Sequence, residues 1–251
     1  MRALLSALAF IPLLGCSQED LLQKFSSPED QATAKNYVDL LRARNFDEIE
    51  SALDPSIRSE NIRETMTRMA DLMPTEAPSS IKLVGAQTFY APGAKTINTT
   101  LEYGFGDKWM LANVALREQQ GAKSIVGFNV YPMTQSLEAQ NRFTLAGKSA
   151  VQYTILVAAI AAFLVTLYSL VVCARTKLPR RKWLWVIFIL VGFGKVTVDW
   201  TTGQWSVAPL VVQLFSASAT APLYGPWAIA VSLPLGALFF LVFRRQLLSE
   251  N

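Results

Sequence analysis

The sequence predicts an α+β protein: N-terminal helices packed on a four-stranded antiparallel sheet, followed by an α-helical transmembrane region. Three observations predict it. Charge is dense over residues 17–149, but Ala150 to Phe243 holds only six Lys or Arg residues and one Asp. The spacing of apolar residues changes from helical to alternating after Pro78. The 25 residues from Ala150 to Ala174 carry no charge, which is long enough to cross a hydrocarbon core of about 30 Å.

Composition excludes several chemistries. The chain of 251 residues contains no histidine, which removes a Ser-His-Asp triad, a Cys-His pair, His-ligated zinc and His-bound haem. Two cysteines give no disulfide framework and no Cys-rich metal site. No catalytic residue, metal ligand or cofactor is therefore expected. The net charge of +4 does not point to nucleic acid, because the basic excess flanks the apolar spans, where membrane proteins place it.

Met1-Arg2 followed by Ala3 to Leu14 reads as a secretory signal. Twelve residues at about 1.5 Å each reach only about 18 Å, too short for a span. The stretch ends in Leu13-Leu14-Gly15-Cys16, which resembles the lipobox of bacterial lipoproteins. That resemblance implies a signal over 1–15, cleavage before Cys16 and lipidation of its thiol. Leu14 departs from the pattern, which usually has a small or hydroxyl residue there.

Residues 17–26 read as a polar tether, and 27–133 as the extracytoplasmic domain. Ser27-Pro28-Glu29-Asp30 supplies an N-cap, a first-turn proline and first-turn acids, and Ala34, Tyr37, Val38 and Leu41 follow at helical spacing. A second short helix carries Phe46, Ile49 and Leu53. Asp54-Pro55 opens a third, with an apolar stripe of Ile62, Met66, Met69 and Met73 ending at Pro74. Four strands follow, with turns at Ala91-Pro92-Gly93, Gly106-Asp107 and Gly121. Ile97, Thr99, Leu101, Tyr103 and Phe105 form one face of the second strand. Glu102, on the other face, and Asp107, in a turn, are expected to be solvated.

Tyr37 to Leu41, Asn45-Phe46-Asp47, Trp109-Met110 and Gly127 to Met133 together resemble the NTF2-like cone fold, closest to small bacterial lipoprotein domains built on it. The resemblance covers about residues 28–133 and implies a cone that hosts enzymes, ligand carriers or structural modules in different proteins. Its enzymatic members use an interior carboxylate or a His-Asp pair, and the pair is absent here. Met66, Met69 and Met73 are the candidate lining of a plastic apolar pocket, or simply core.

Residues 134–149 read as a linker and 150–243 as the membrane region. Ala150 to Ala174 is the first span. Arg175, Lys177, Arg180, Arg181 and Lys182 then form a basic loop that belongs in the cytoplasm. Residues 183–199 return as the second span. Lys195 and Asp199, at i,i+4, make an interfacial ion pair or a charge pair within the membrane. Residues 205–222 are interfacial or re-entrant, 226–243 are the third span, and 244–251 are a cytoplasmic tail. Four spans is the alternative.

The expected location is a bacterial inner membrane with the soluble domain in the periplasm. The expected role is a non-enzymatic binding or interaction module at the membrane's outer face. Expected partners are the lipid bilayer, a small apolar ligand or a membrane-protein partner. An accessory subunit of a membrane complex and an envelope hydrolase or isomerase using a carboxylate in the cone are the rival readings.

Overall fold

The computed structural model describes residues 18–176 and 182–244, and the chain divides into two compact units after Leu137. The fold is mixed α+β with two four-stranded antiparallel sheets.

In the first unit the segment expected to be a tether is helix α1 (Gln18–Phe25), which packs beside the first strand. Ser26 is fully buried, its hydroxyl 3.0 Å from that of Thr99, and Thr88 Oγ1 donates to the Phe25 carbonyl. Helix α2 (Pro28–Arg42) begins in the capping box read from the sequence: Ser27 Oγ accepts from Asp30 N, and the Asp30 carboxylate accepts from Ser27 N. This satisfies two of the helix's orphan donors. α3 (Phe46–Ala52), a 3-10 turn at Pro55–Ile57 and α4 (Ile62–Asp71) complete the helical layer.

Strands β1 (Ser80–Ala91), β2 (Ala94–Phe105), β3 (Lys108–Gln119) and β4 (Ala122–Met133) then form a meander in the order β1-β2-β3-β4. Each connection is two residues long. Gly93, Gly106 and Gly121 all have φ between 75° and 80°, where a side chain would be strained. Ala34, Val38 and Leu41 of α2, Ile49 of α3 and Met66 of α4 share one core with Tyr103, Met110, Val114 and Leu116. Each large side chain so buried stabilises the fold by about 1.5–3 kcal/mol.

The second unit departs from the all-helical expectation. A single turn, α5 (Leu137–Gln140), precedes it. Residues 141–145, expected as linker, dock within it: Phe143 stacks on Trp200 at 5.1 Å, and Trp200 Nε1 donates to the Thr144 carbonyl. Helix α6 (Ala150–Arg175) is as expected, 26 residues long and apolar enough to cross a membrane.

The expected second span is instead α7 (Lys182–Leu190) followed by strand β5 (Val191–Asp199). Gly192 and Gly194 disfavour helix, the β-branched Val196, Thr197 and Val198 favour strand, and Gly194 has φ +68°. The stretch expected to be interfacial holds two strands, β6 (Trp205–Leu214) and β7 (Ala217–Thr220), which lie at opposite edges of the second sheet. The expected third span is β8 (Ala228–Leu233) and α8 (Leu235–Phe243), parted by Pro234. The sheet order is β6-β5-β8-β7. The sheet packs on the N-terminal half of α6 through Ile155, Ala159, Val198 and Ile229. α7 and α8 pack on its C-terminal half through Cys173, Ile189, Ala237 and Phe240.

Candidate functional site

The sites expected from the sequence are only partly assembled. Met66 and Met69 line a cavity of 220 Å³ with Ile49, Ile62 and Phe128. Met73 lies on a different cavity, at the C-terminal ends of α2 and α4. Glu102, expected in solvent, is 3% exposed, and its carboxylate accepts from the Leu137 backbone N–H at 2.6 Å. That partner lies 35 residues away, so strand alternation could not show it. Asp107 is exposed in its turn, as expected. Cys16 lies outside the described residues. No cluster of three or more metal-ligating groups exists among the described residues.

Lys195 and Asp199 form no ion pair. Both lie on β5, where four residues span about 13 Å rather than one helical turn. Asp199 instead closes the turn after its strand, accepting from the N–H groups of Thr201 and Thr202 at 2.8 Å each. Lys195 faces a cavity of 540 Å³ between α6 and the sheet.

That cavity is the better-defined candidate site. Ala158, Ala161, Ala162 and Val165 of α6 form one wall. Phe193 and Val196 of β5, with Val207, Pro209, Val231 and Leu233, form the rest. The small alanines leave the space that bulkier helix residues would fill. Two lining side chains are polar. Ser232 is engaged, donating to Gln213 Oε1 at 2.7 Å. Lys195 has no carboxylate or acceptor among the described residues, and it is the only ionisable group in the lining. The alanines stand about 12–18 Å along α6 from Ala150, so the ammonium lies well within the length of an apolar helix.

Beside the cavity runs a polar seam that the sequence did not reveal. Gln213 donates to Ser218 Oγ, and Thr166 Oγ1 lies 3.5 Å from Ser216 Oγ. Ser216 is fully buried. A Cβ on Gly192 would come within 2.7 Å of its hydroxyl, so glycine is what lets β5 approach the β6–β7 turn. The spacing Gln213, Ser216, Ser218 was visible as a break in an apolar run, but its partners Thr166 and Ser232 are remote in sequence.

The outer surface of this unit inverts the usual order. The buried stripe of α6 is Gln152, Ile155, Ala159, Ala162, Thr166, Ser169 and Cys173, while Val157, Ile160, Leu164 and Tyr168 are exposed. β6 is exposed on both faces, with Leu210 98% accessible. Comparison with known protein families, with curated proteins and with solved structures returns no match.

Proposed function

We propose that the chain is a membrane-anchored envelope protein that binds, without catalysis, an acyl-chain amphiphile with an anionic head. In this reading Cys16 is lipidated, an NTF2-like cone domain over 27–133 lies outside a bacterial inner membrane, and α6 crosses the bilayer. The inverted surface of α6 supports embedding, since lipid tails accept large apolar side chains while small and polar ones mediate helix packing. The observation that carries the binding function is Lys195, the single charge in a largely apolar cavity of 540 Å³. An ionisable group at membrane depth is costly without a partner, and an acidic lipid head supplies one while its chain fills the apolar walls.

The full chain in nanodiscs of zwitterionic lipid, titrated with oleate or phosphatidylglycerol and read by native mass spectrometry, tests this. Retention of an anionic lipid is expected, weakened about tenfold or more in Lys195→Gln, the scale of one charge-assisted hydrogen bond. Equal retention of zwitterionic and anionic lipid would sink the reading.

A second reading, an accessory subunit of a membrane complex, draws on β6. It is an edge strand of the sheet, and an unpaired backbone edge is not tolerated in hydrocarbon. A strand from a partner chain would cover it. Cysteine cross-linking at Val207 or Val212 in native membranes distinguishes this case by a stoichiometric second protein.

A further inference from the structure

Three of the five large apolar side chains exposed on the first unit converge at one end of its sheet: Phe25, Phe89 and Tyr90, with Tyr90 81% accessible. Phe25 is the last residue of α1, and its carbonyl accepts from Thr88 Oγ1 at 2.6 Å, which sets it beside the end of β1. Phe89 and Tyr90 follow on that strand and point to its opposite faces. β1 is an edge strand, and the turn into β2 exposes Ala91, Pro92 and Gly93 as well. From Phe89 to Ala94 the chain holds no charge. Lys24 and Lys95 flank this tip and form no ion pair among the described residues.

The chain that precedes α1 fixes what lies against this tip. α1 begins at Gln18, just after Cys16. Two extended residues reach about 7 Å and the helix about 11 Å more, so Phe25 stands within about 18 Å of Cys16. β1, at 12 residues, is about 40 Å long. An acylated Cys16 at the bilayer boundary therefore holds the aromatic end of the sheet near the lipid, whichever way α1 runs. Facing water, the three rings and the uncharged turn would stay hydrated. At the boundary of headgroups and acyl chains the rings leave water, and the flanking lysines reach the lipid phosphates.

We infer that the β1–β2 tip, together with Phe25, is a membrane contact whose three rings enter the interfacial layer of the lipid bilayer that anchors Cys16. This rests on the proposed lipidation of Cys16 and extends it, because it fixes which edge of the first unit faces the membrane. β1 is the membrane edge. β4 is the opposite edge of the sheet, and α3 and the 3-10 turn at Pro55–Ile57 pack on it. The cavity of Met66 and Met69, which Phe128 of β4 helps to line, then lies on the side away from the bilayer. A ligand taken there would arrive from water rather than from lipid.

The test uses the full chain in phosphatidylcholine nanodiscs, with a fluorophore on one introduced cysteine. Cys173 is buried and an acylated Cys16 has no free thiol, so Ala91→Cys or Glu60→Cys takes the label. Both positions are exposed, and Glu60 follows the turn that packs on β4. Lipids bearing a nitroxide on the headgroup are expected to quench the label at position 91 and not the label at position 60. Phe25→Ser combined with Tyr90→Ser should abolish the quenching at position 91 and leave the thermal midpoint unchanged, since both side chains are exposed. Equal quenching at the two positions would overturn the contact. So would a label at position 91 that lipid does not quench yet is shielded from a water-soluble quencher, which would mark a second copy of the chain on the tip. Intact mass reports on Cys16 separately. An unmodified Cys16 overturns the tether, whereas an acylated chain without quenching at position 91 overturns the contact alone.

Discussion

The side-chain amide of Gln152 donates to the backbone carbonyl of Trp200 at 2.7 Å, tying the first turn of α6 to the end of β5 across 48 residues. The same amide's oxygen accepts from Ser149 N at 2.8 Å, so one buried glutamine both caps a helix and holds the sheet to it. Gln152→Met keeps the side-chain length but leaves a carbonyl and an N–H without partners. A loss of about 1–3 kcal/mol is expected, read as a lower thermal midpoint by tryptophan fluorescence in detergent. An unchanged midpoint would show that the tie is not needed.

Gly236 stands where α8 begins against α7. A Cβ there would lie 1.8 Å from the Phe188 carbonyl oxygen, a backbone atom that cannot rotate away. Gly236→Ala should therefore force the helices apart and cost at least the usual 1–3 kcal/mol or so of overpacking. Retention of wild-type stability in a denaturant titration would contradict the close approach.

Asp54 joins the helical layer to the sheet. Its carboxylate accepts from the Ser56 hydroxyl and Ser56 N–H, and also from Ser124 Oγ and Arg117 Nη1. These bonds, those from Ser56 foremost, lower its pKa to about 2. A depressed carboxylate contributes stability that is complete above its unfolded value of about 3.9 and is lost as pH falls through the folded one. The first unit should thus lose stability between about pH 4 and pH 2. Asp54→Asn should be less stable at neutral pH and flatter across that window. A wild-type pH profile in the variant would rule the linkage out.

Leu164 is 57% exposed on α6. On a water-facing surface Leu164→Arg would change stability by less than about 0.5 kcal/mol, whereas at membrane depth a charge opposes insertion by about 2.5–3.5 kcal/mol. Under the proposed embedding the variant should insert poorly in a translocon assay, while Leu72→Arg, on an exposed site of the first unit, should not. Normal insertion of the Leu164 variant would count against a lipid-facing α6.

The first sheet was legible because its signals are local. Alternation from Ile97 to Phe105 and glycines at 93, 106 and 121 fix strands and turns without reference to distant residues. The second sheet was hidden by uniform hydropathy, since an apolar run such as 183–199 satisfies a helix and a buried strand equally. Gly192, Gly194, Pro209 and Pro234 marked its breaks, but a span-length window passes over them. Lys195 was visible as a site residue. Its pairing with Asp199 followed from assuming helix, and the strand turns that pair into a lone cation.

The change from helix to strand at Val191 also dictates an order of assembly. α6 closes its own backbone hydrogen bonds over 26 residues and is long enough to enter a bilayer alone. β5 cannot, because its partners β6 and β8 arrive only after up to 40 further residues, and an isolated strand in hydrocarbon leaves its amides unmet. For an embedded unit, β5 to β8 must therefore gather at the aqueous boundary and be buried together. In nascent chains stalled after Leu214, cysteines placed in β5 should then remain open to a water-soluble alkylating reagent, whereas in chains stalled after Phe243 they should not.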